Sequence, residues 1–262
     1  MPKSRANGVE IYYDVTGEGP PLVLIHALPF DHTLWLYQAA HLSNWFKVIS
    51  VDLRGWGRSA KVTDPFTLED MCQDVIGVMN DEGAEMAIVM GCSIGSKMAL
   101  MLGGLWPERF QAVIQVGGNS GPQDMQRRIK GYGSEIFSDY RAAHLRYGVR
   151  DGFADSRLGT YLLKTFSERD PWHDAAAIVR VFEALSKGDA RPFLADYRPP
   201  TLIINGEFDN ARPRGEETAR LIPGARHRVL PGTGHACMME DPAGFDDLVI
   251  GFLEENGLMP GL

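Results

Sequence analysis

Three observations predict an α/β fold: a mostly parallel central sheet flanked by helices, with an inserted helical cap. Short apolar runs at 21–25, 46–51, 87–90, 112–116, 201–205 and 227–230 alternate with helical periodicity at 34–41, 67–81, 93–106, 215–221 and 242–255. Such alternation is the pattern of buried strands joined by crossover helices. The rhythm breaks once, over 121–198, which is rich in Tyr, Phe and Arg and has no convincing strand. An excursion that long between two buried strands is implausible as a structureless loop. It reads as a helical cap inserted into a core made of 1–120 and 199–262.

The elements follow in order. Residues 9–15 alternate as a strand does and run into the turn Gly17-Glu18-Gly19-Pro20. Thr67-Leu68-Glu69-Asp70 is a helix start, with Thr67 as N-cap and an acid three residues on. Pro107 stops the helix that begins at Ser93. Neither an internal repeat nor a low-complexity tract is present.

Composition narrows the function classes. With 262 residues, 44% hydrophobic and 23% charged, the chain is long enough for a large core and ordinary for a globular protein. Its longest apolar stretches, such as 21–25 and 87–90, are too short to cross a bilayer, and residues 1–8 lack the apolar region of a secretory signal. Cys72, Cys92 and Cys237 are too widely spaced for a disulfide framework or a zinc site. A cytoplasmic protein is expected. The net charge of −8 argues against nucleic acid as a partner, because phosphate recognition needs a clustered basic face. A small-molecule substrate is expected instead, with no membrane partner and no cofactor or metal; oligomeric state is not legible.

The strongest local signal is Gly91-Cys92-Ser93-Ile94-Gly95, between the strand at 87–90 and the following helix. A serine in a sharp strand-to-helix turn is held above the sheet at a helix N-terminus, where backbone N–H groups can meet developing negative charge. A Gly/Ser turn that merely caps the helix is the bland alternative. Serine hydroxyl needs a base within hydrogen-bond reach. Of seven histidines, His235 lies in a glycine-rich loop, Pro231-Gly232-Thr233-Gly234-His235, after the strand at 227–230 and at the same sheet edge as Ser93. His227 sits inside or beside that strand and reads as packing or surface. The third member should be a carboxylate that fixes the imidazole tautomer. Glu207 and Asp209 compete for that place after the strand at 201–205; Asp209 is the choice, with Glu207 read as a loop hydrogen-bonder. Backbone N–H groups of Ile94 and Leu28 are the candidate oxyanion donors, since Pro29 has none to give.

Taken together, His26-Ala27-Leu28-Pro29, Asp52-Leu53-Arg54-Gly55-Trp56-Gly57-Arg58-Ser59, the serine turn, Gly206-Glu207-Phe208-Asp209 and Gly234-His235 resemble the α/β-hydrolase family from Val9 to Leu253. The order Ser93, Asp209, His235 is that family's order. Ala27 departs from the glycine that relatives usually carry there. The resemblance is to the branch of carboxylesterases, enol-lactonases, carbon–carbon bond hydrolases and cofactor-free perhydrolases. It implies a serine hydrolase acting on a carboxylic ester or lactone through an acyl-enzyme. Carbon–carbon cleavage and peracid formation are the enzymatic alternatives, and a slow ligand receptor is the non-enzymatic one.

Remaining motifs have simpler readings. Gly55-Trp56-Gly57-Arg58-Ser59-Ala60 matches a degenerate dinucleotide pattern, but Asp64-Pro65 follows where a helix would have to start. Asp170-Pro171-Trp172-His173-Asp174 offers a carboxylate–histidine cluster, explained without a metal by Asp170 as N-cap and Pro171 at the first helical position. Phe30 and Trp172 are candidate pocket residues. Other cap aromatics read mainly as the cap's own core, and Arg127 and Arg128 as solvated surface.

Overall fold

Strand side chains alternate between two cores. In the computed structural model, which describes residues 3–5, 7–134 and 136–261, β1 is Lys3–Ser4, β2 Ile11–Thr16, β3 Pro21–Ile25, β4 Lys47–Val51, β5 Ala87–Cys92, β6 Phe110–Val116, β7 Thr201–Gly206 and β8 Arg226–Leu230. Val23, Ile25, Ile49, Val51, Val89 and Val113 face one core, while Leu22, Leu24, Val48, Ile88, Met90 and Ile114 face the other. Period-two alternation with both faces apolar is what a sheet covered on both sides requires.

The helices supply the covers. α1 is Leu36–Leu42, α2 Leu68–Asp81 and α3 Ile94–Leu105. Between β6 and β7 come α4 (Gln126–Tyr132), α5 (Phe137–Tyr147), α6 (Asp151–Ala154), α7 (Arg157–Ser167), α8 (Ala175–Lys187) and α9 (Arg191–Leu194). α10 is Arg212–Leu221, α11 Cys237–Glu240 and α12 Pro242–Glu255. Met71 and Val75 of α2 and Met98 and Leu102 of α3 fill the first core; Leu42 of α1 and Phe245, Val249 and Phe252 of α12 fill the second. α2 opens on a capping box: Thr67 accepts from Asp70 N–H at 3.1 Å and Asp70 accepts from Thr67 N–H at 2.7 Å.

Strand order is β1-β2-β4-β3-β5-β6-β7-β8, with β1–β2 and β2–β4 antiparallel and every later pairing parallel. This is the mostly parallel, helix-flanked sheet expected. The carboxyl ends of β3, β5, β7 and β8 consequently share one edge, where α/β sheets gather their sites. β1 was not foreseen, nor was α11, and the helix expected over 34–41 starts as a 3-10 turn, His32–Trp35, capped by Asp31. Among the described residues no helix is long and apolar enough to cross a membrane.

No strand interrupts the described residues between β6 and β7. Their helices serve both cores, α8 through Ile178, Val181 and Leu185 and α5–α7 through Leu145, Phe153, Leu162 and Phe166. Both ends of this segment are fastened to α3. The wholly buried Lys97 donates from Nζ to the carbonyls of Gly121 (2.6 Å), Gly188 (3.3 Å) and Leu185 (3.4 Å). Burial holds its pKa down to about 8.

Candidate active site

Ser93 closes β5 and opens α3. Its backbone, at φ 55° and ψ −109°, is the one non-glycine with positive φ among the described residues, a conformation that costs an L-residue on the order of 1–3 kcal/mol. The turn holds because Ser93 N–H donates to Val116 O at 2.8 Å, and Ser96 donates to Ser93 O from N at 3.1 Å and from Oγ at 2.6 Å. Gly95 is required by close approach: a methyl there would run into the Ile25 carbonyl. Cys92, beside the serine, is wholly buried, and burial pushes its thiol well above the ordinary range.

His235 Nδ1 donates to Asp209 Oδ1 at 2.8 Å. That carboxylate is fixed further by Ala211 N–H on Oδ1 (2.9 Å) and by Asn205 Nδ2 on Oδ2 (2.9 Å). Burial alone would raise the Asp209 pKa, but the His235 charge and these hydrogen bonds outweigh it and set it at about 2. Burial alone would lower that of His235, and the Asp209 charge raises it above 6.5. Because Nδ1 carries the proton toward Asp209, Nε2 of the neutral ring is left with its lone pair. Glu207 lies elsewhere, accepting from Gly232 N–H at 2.8 Å. Gly117 joins the two halves of the site. It follows Val116, the residue that accepts from Ser93, and a methyl on it would stand 3.0 Å from His235 Nδ1 and Cε1.

The loop after β3 sits beside the serine turn because β3 pairs with β5. Among the described residues, neither the Leu28 nor the Ile94 N–H donates a hydrogen bond within the chain. The loop is braced from below. His26 Nε2 accepts from Leu53 N–H at 3.1 Å, so Nδ1 holds the proton and donates to Ala27 O at 3.0 Å. Phe30 N–H closes the turn onto Ala27 O at 2.9 Å. Asp52 receives the His32 N–H and Nδ1 (both 2.8 Å) and the Arg58 N–H (2.8 Å), tying the loops after β3 and β4 together. Asp31, His32 and Asp52 are the grouping of metal-ligand type among the described residues. Asp31 also accepts from Thr33 and Arg169, so these acids serve as a hydrogen-bonded brace. The dinucleotide-like stretch 55–60 belongs to the same brace, with no helix until Leu68.

The other predicted positions scatter. Phe30 is buried edge-on against Phe166, ring centres 4.9 Å apart. Trp172 is 47% exposed, with the guanidiniums of Arg58 and Arg169 over its ring at 5.6 and 6.0 Å. Asp170 corrects an expectation: it is not an N-cap. It is the first residue of a 3-10 turn behind Arg169, and its carboxylate is taken by the buried Arg141. Asp174 is the acid that caps, accepting from Ala177 N–H at 2.8 Å to start α8. Arg127 is exposed; Arg128 is half-buried over the Tyr147 ring. Two features escaped the sequence. Tyr132 is buried and shares a 2.7 Å hydrogen bond with His144 Nδ1. Asn205 stands on Asp209, and its only signal was a polar residue closing an otherwise apolar strand.

Residues 22–248 match the model of the alpha/beta hydrolase family. The chain belongs to the alpha/beta hydrolase family. It is therefore read as a hydrolytic enzyme, in accord with its relatives. This hydrolase is 27% identical to the enol-lactonase of Burkholderia xenovorans LB400, with a TM-score of 0.89 over 97% of this chain and 100% of that one. It is 26% identical to the pimeloyl-[acyl-carrier protein] methyl ester esterase of Yersinia enterocolitica, over 94% of this chain and 98% of the relative. An N-acyl homoserine lactone degrading enzyme, Est816, is 26% identical, with a TM-score of 0.83 over 96% of this chain and 100% of that one.

Proposed function

We propose that this hydrolase cleaves a small carboxylic ester or lactone, with Ser93 as nucleophile, His235 as base and Asp209 orienting the base. One observation carries the reading: the His235–Asp209 hydrogen bond at the sheet edge where Ser93 is held in a left-handed strand-to-helix turn. His235 Nε2 takes the Ser93 proton as Oγ attacks the carbonyl carbon. The tetrahedral oxyanion rests on the N–H groups of Leu28 and Ile94. Collapse expels the alcohol, which leaves with the proton from His235. Water, deprotonated by the same Nε2, then attacks the acyl-enzyme, and the departing Ser93 oxygen recovers its proton.

Relatives named as a methyl ester esterase, an enol-lactonase and a lactone-degrading enzyme support acyl–oxygen cleavage. Proton release in a pH-stat tests it, comparing short aliphatic esters with lactones and running Ser93→Ala alongside. Serine-dependent turnover on either panel is expected, and the preferred panel separates esterase from lactonase. Silence on both from folded protein, or full turnover by Ser93→Ala, overturns the proposal.

A further inference from the structure

Asp209 does not stand alone behind His235. Beyond the Asn205 Nδ2 that donates to Asp209 Oδ2 at 2.9 Å, His227 Nε2 donates to Asn205 Oδ1 at 3.0 Å. Asn205 is wholly buried near the end of β7; His227 is half-buried in β8, the last strand of the sheet. Register explains the reach. His227 pairs with Ile203, and Asn205, two residues further along β7, shows its side chain on the same face.

A primary amide donates from one end and accepts at the other. Beside an ionised carboxylate only its NH2 end can face Asp209, which turns Oδ1 outward to the ring of His227. Both the neutral Nε2–H tautomer and the protonated ring of His227 donate there. Glu216, Arg212 and Arg228 are the charged groups around that ring. Asp209 Oδ1 already accepts from His235 and Ala211. If Asn205 released Oδ2, the carboxylate would be held on one oxygen only and free to turn about its Cβ–Cγ bond.

We propose that Asn205 and His227 are positioning residues for the reaction, holding the plane of the Asp209 carboxylate so that Oδ1 stays on His235 Nδ1. The proposal rests on the Ser93–His235–Asp209 reading. Neither residue touches the reacting atoms, so their effect must pass through His235.

The test uses the full chain with Asn205→Leu, His227→Leu and His227→Gln, and Ser93→Ala alongside. Two quantities are read: steady-state kinetics on the preferred ester or lactone, and the far-downfield proton resonance of His235 Nδ1–H without substrate. Asn205→Leu should lower kcat about 10- to 100-fold, the equivalent of one lost hydrogen bond to a charged group. KM should stay within about twofold, because ground-state binding is not touched. The resonance should move upfield or broaden. His227→Leu should change both in the same direction by less, and His227→Gln, whose amide nitrogen reaches Asn205 Oδ1, should restore them. Folded Asn205→Leu with wild-type kcat and an unmoved resonance overturns the proposal. Equal losses in His227→Gln and His227→Leu overturn it too, by making His227 a packing residue. Should Asn205→Leu fail to fold, the His227 pair at the half-exposed strand decides alone. Full activity in Ser93→Ala would refute the triad instead, while the resonance still reports on the carboxylate.

Discussion

Replacing Asp209 by Asn puts an NH2 group where the structure has room only for acceptors. Turned toward Oδ1, it meets two donors, His235 Nδ1–H and Ala211 N–H; turned toward Oδ2, it meets Asn205 Nδ2. The first orientation drives His235 into the tautomer with hydrogen on Nε2, which removes the lone pair that would take the Ser93 proton in the proposed reaction. The second flips Asn205 against His227. Loss of charge adds to this. The environment lowers the Asp209 pKa from 3.8 to about 2, which corresponds to about 2–3 kcal/mol, or on the order of 10²-fold in rate if all of it acts on the imidazolium. With the tautomer also lost, kcat should fall about 10⁴-fold, as in the serine-histidine-aspartate template. A pH-stat measurement of kcat on the preferred substrate, with circular dichroism to show the fold intact, is the assay. Full rate in this variant would refute the reasoning.

Four further outcomes follow from the structure. kcat/KM should rise with pH through an apparent pKa above 6.5, since Asp209 favours protonated His235, and a midpoint at or below 6.5 in a pH–rate profile would contradict it. The stability linkage has a definite sign. The lowered Asp209 stabilises fully above 3.8 and loses this as pH falls through about 2, whereas the raised His235 stabilises fully below 6.5 and loses this as pH climbs through its folded value. Ser93→Gly should be about 1 kcal/mol more stable than Ser93→Ala in urea unfolding, since relief of positive-φ strain exceeds the glycine entropy cost; a glycine variant less stable than the alanine one would show the turn unstrained. Lys97→Met should lose about 3 kcal/mol or more by leaving the Gly121, Leu185 and Gly188 carbonyls without their shared donor, again read by urea titration.

What the chain revealed in advance was what repeats or carries a constrained turn. α12 lies where its periodicity put it, at 242–255, because Pro242 starts it and Asp241 caps it, accepting from Gly244 N–H at 3.0 Å. β3 is likewise bounded by its own apolar run, at 21–25. β1 has two residues, too few for any period to show, and α11 is a single turn behind a glycine-rich loop. Asp170 misled because its local pattern is that of a cap, whereas Arg141, 29 residues earlier in the chain, claims its carboxylate. Asn205 and His227 were unreadable as partners for the same reason: their meeting depends on the pairing of β7 with β8. The serine turn, the Asp209 loop and the His235 loop were legible because each is a short local motif next to a strand end; the contacts among them are tertiary.

Lys97 gives the helical segment an unusual mechanical attachment. Gly121 lies soon after β6, Leu185 and Gly188 at the end of α8 and just past it, and one ammonium grips all three. That ammonium rides on α3, whose first residue is Ile94. The five helices α4–α8 lie between these contacts, so the two ends of that stretch share one attachment point. Both ends are thereby tied to the helix whose first residue directly follows Ser93.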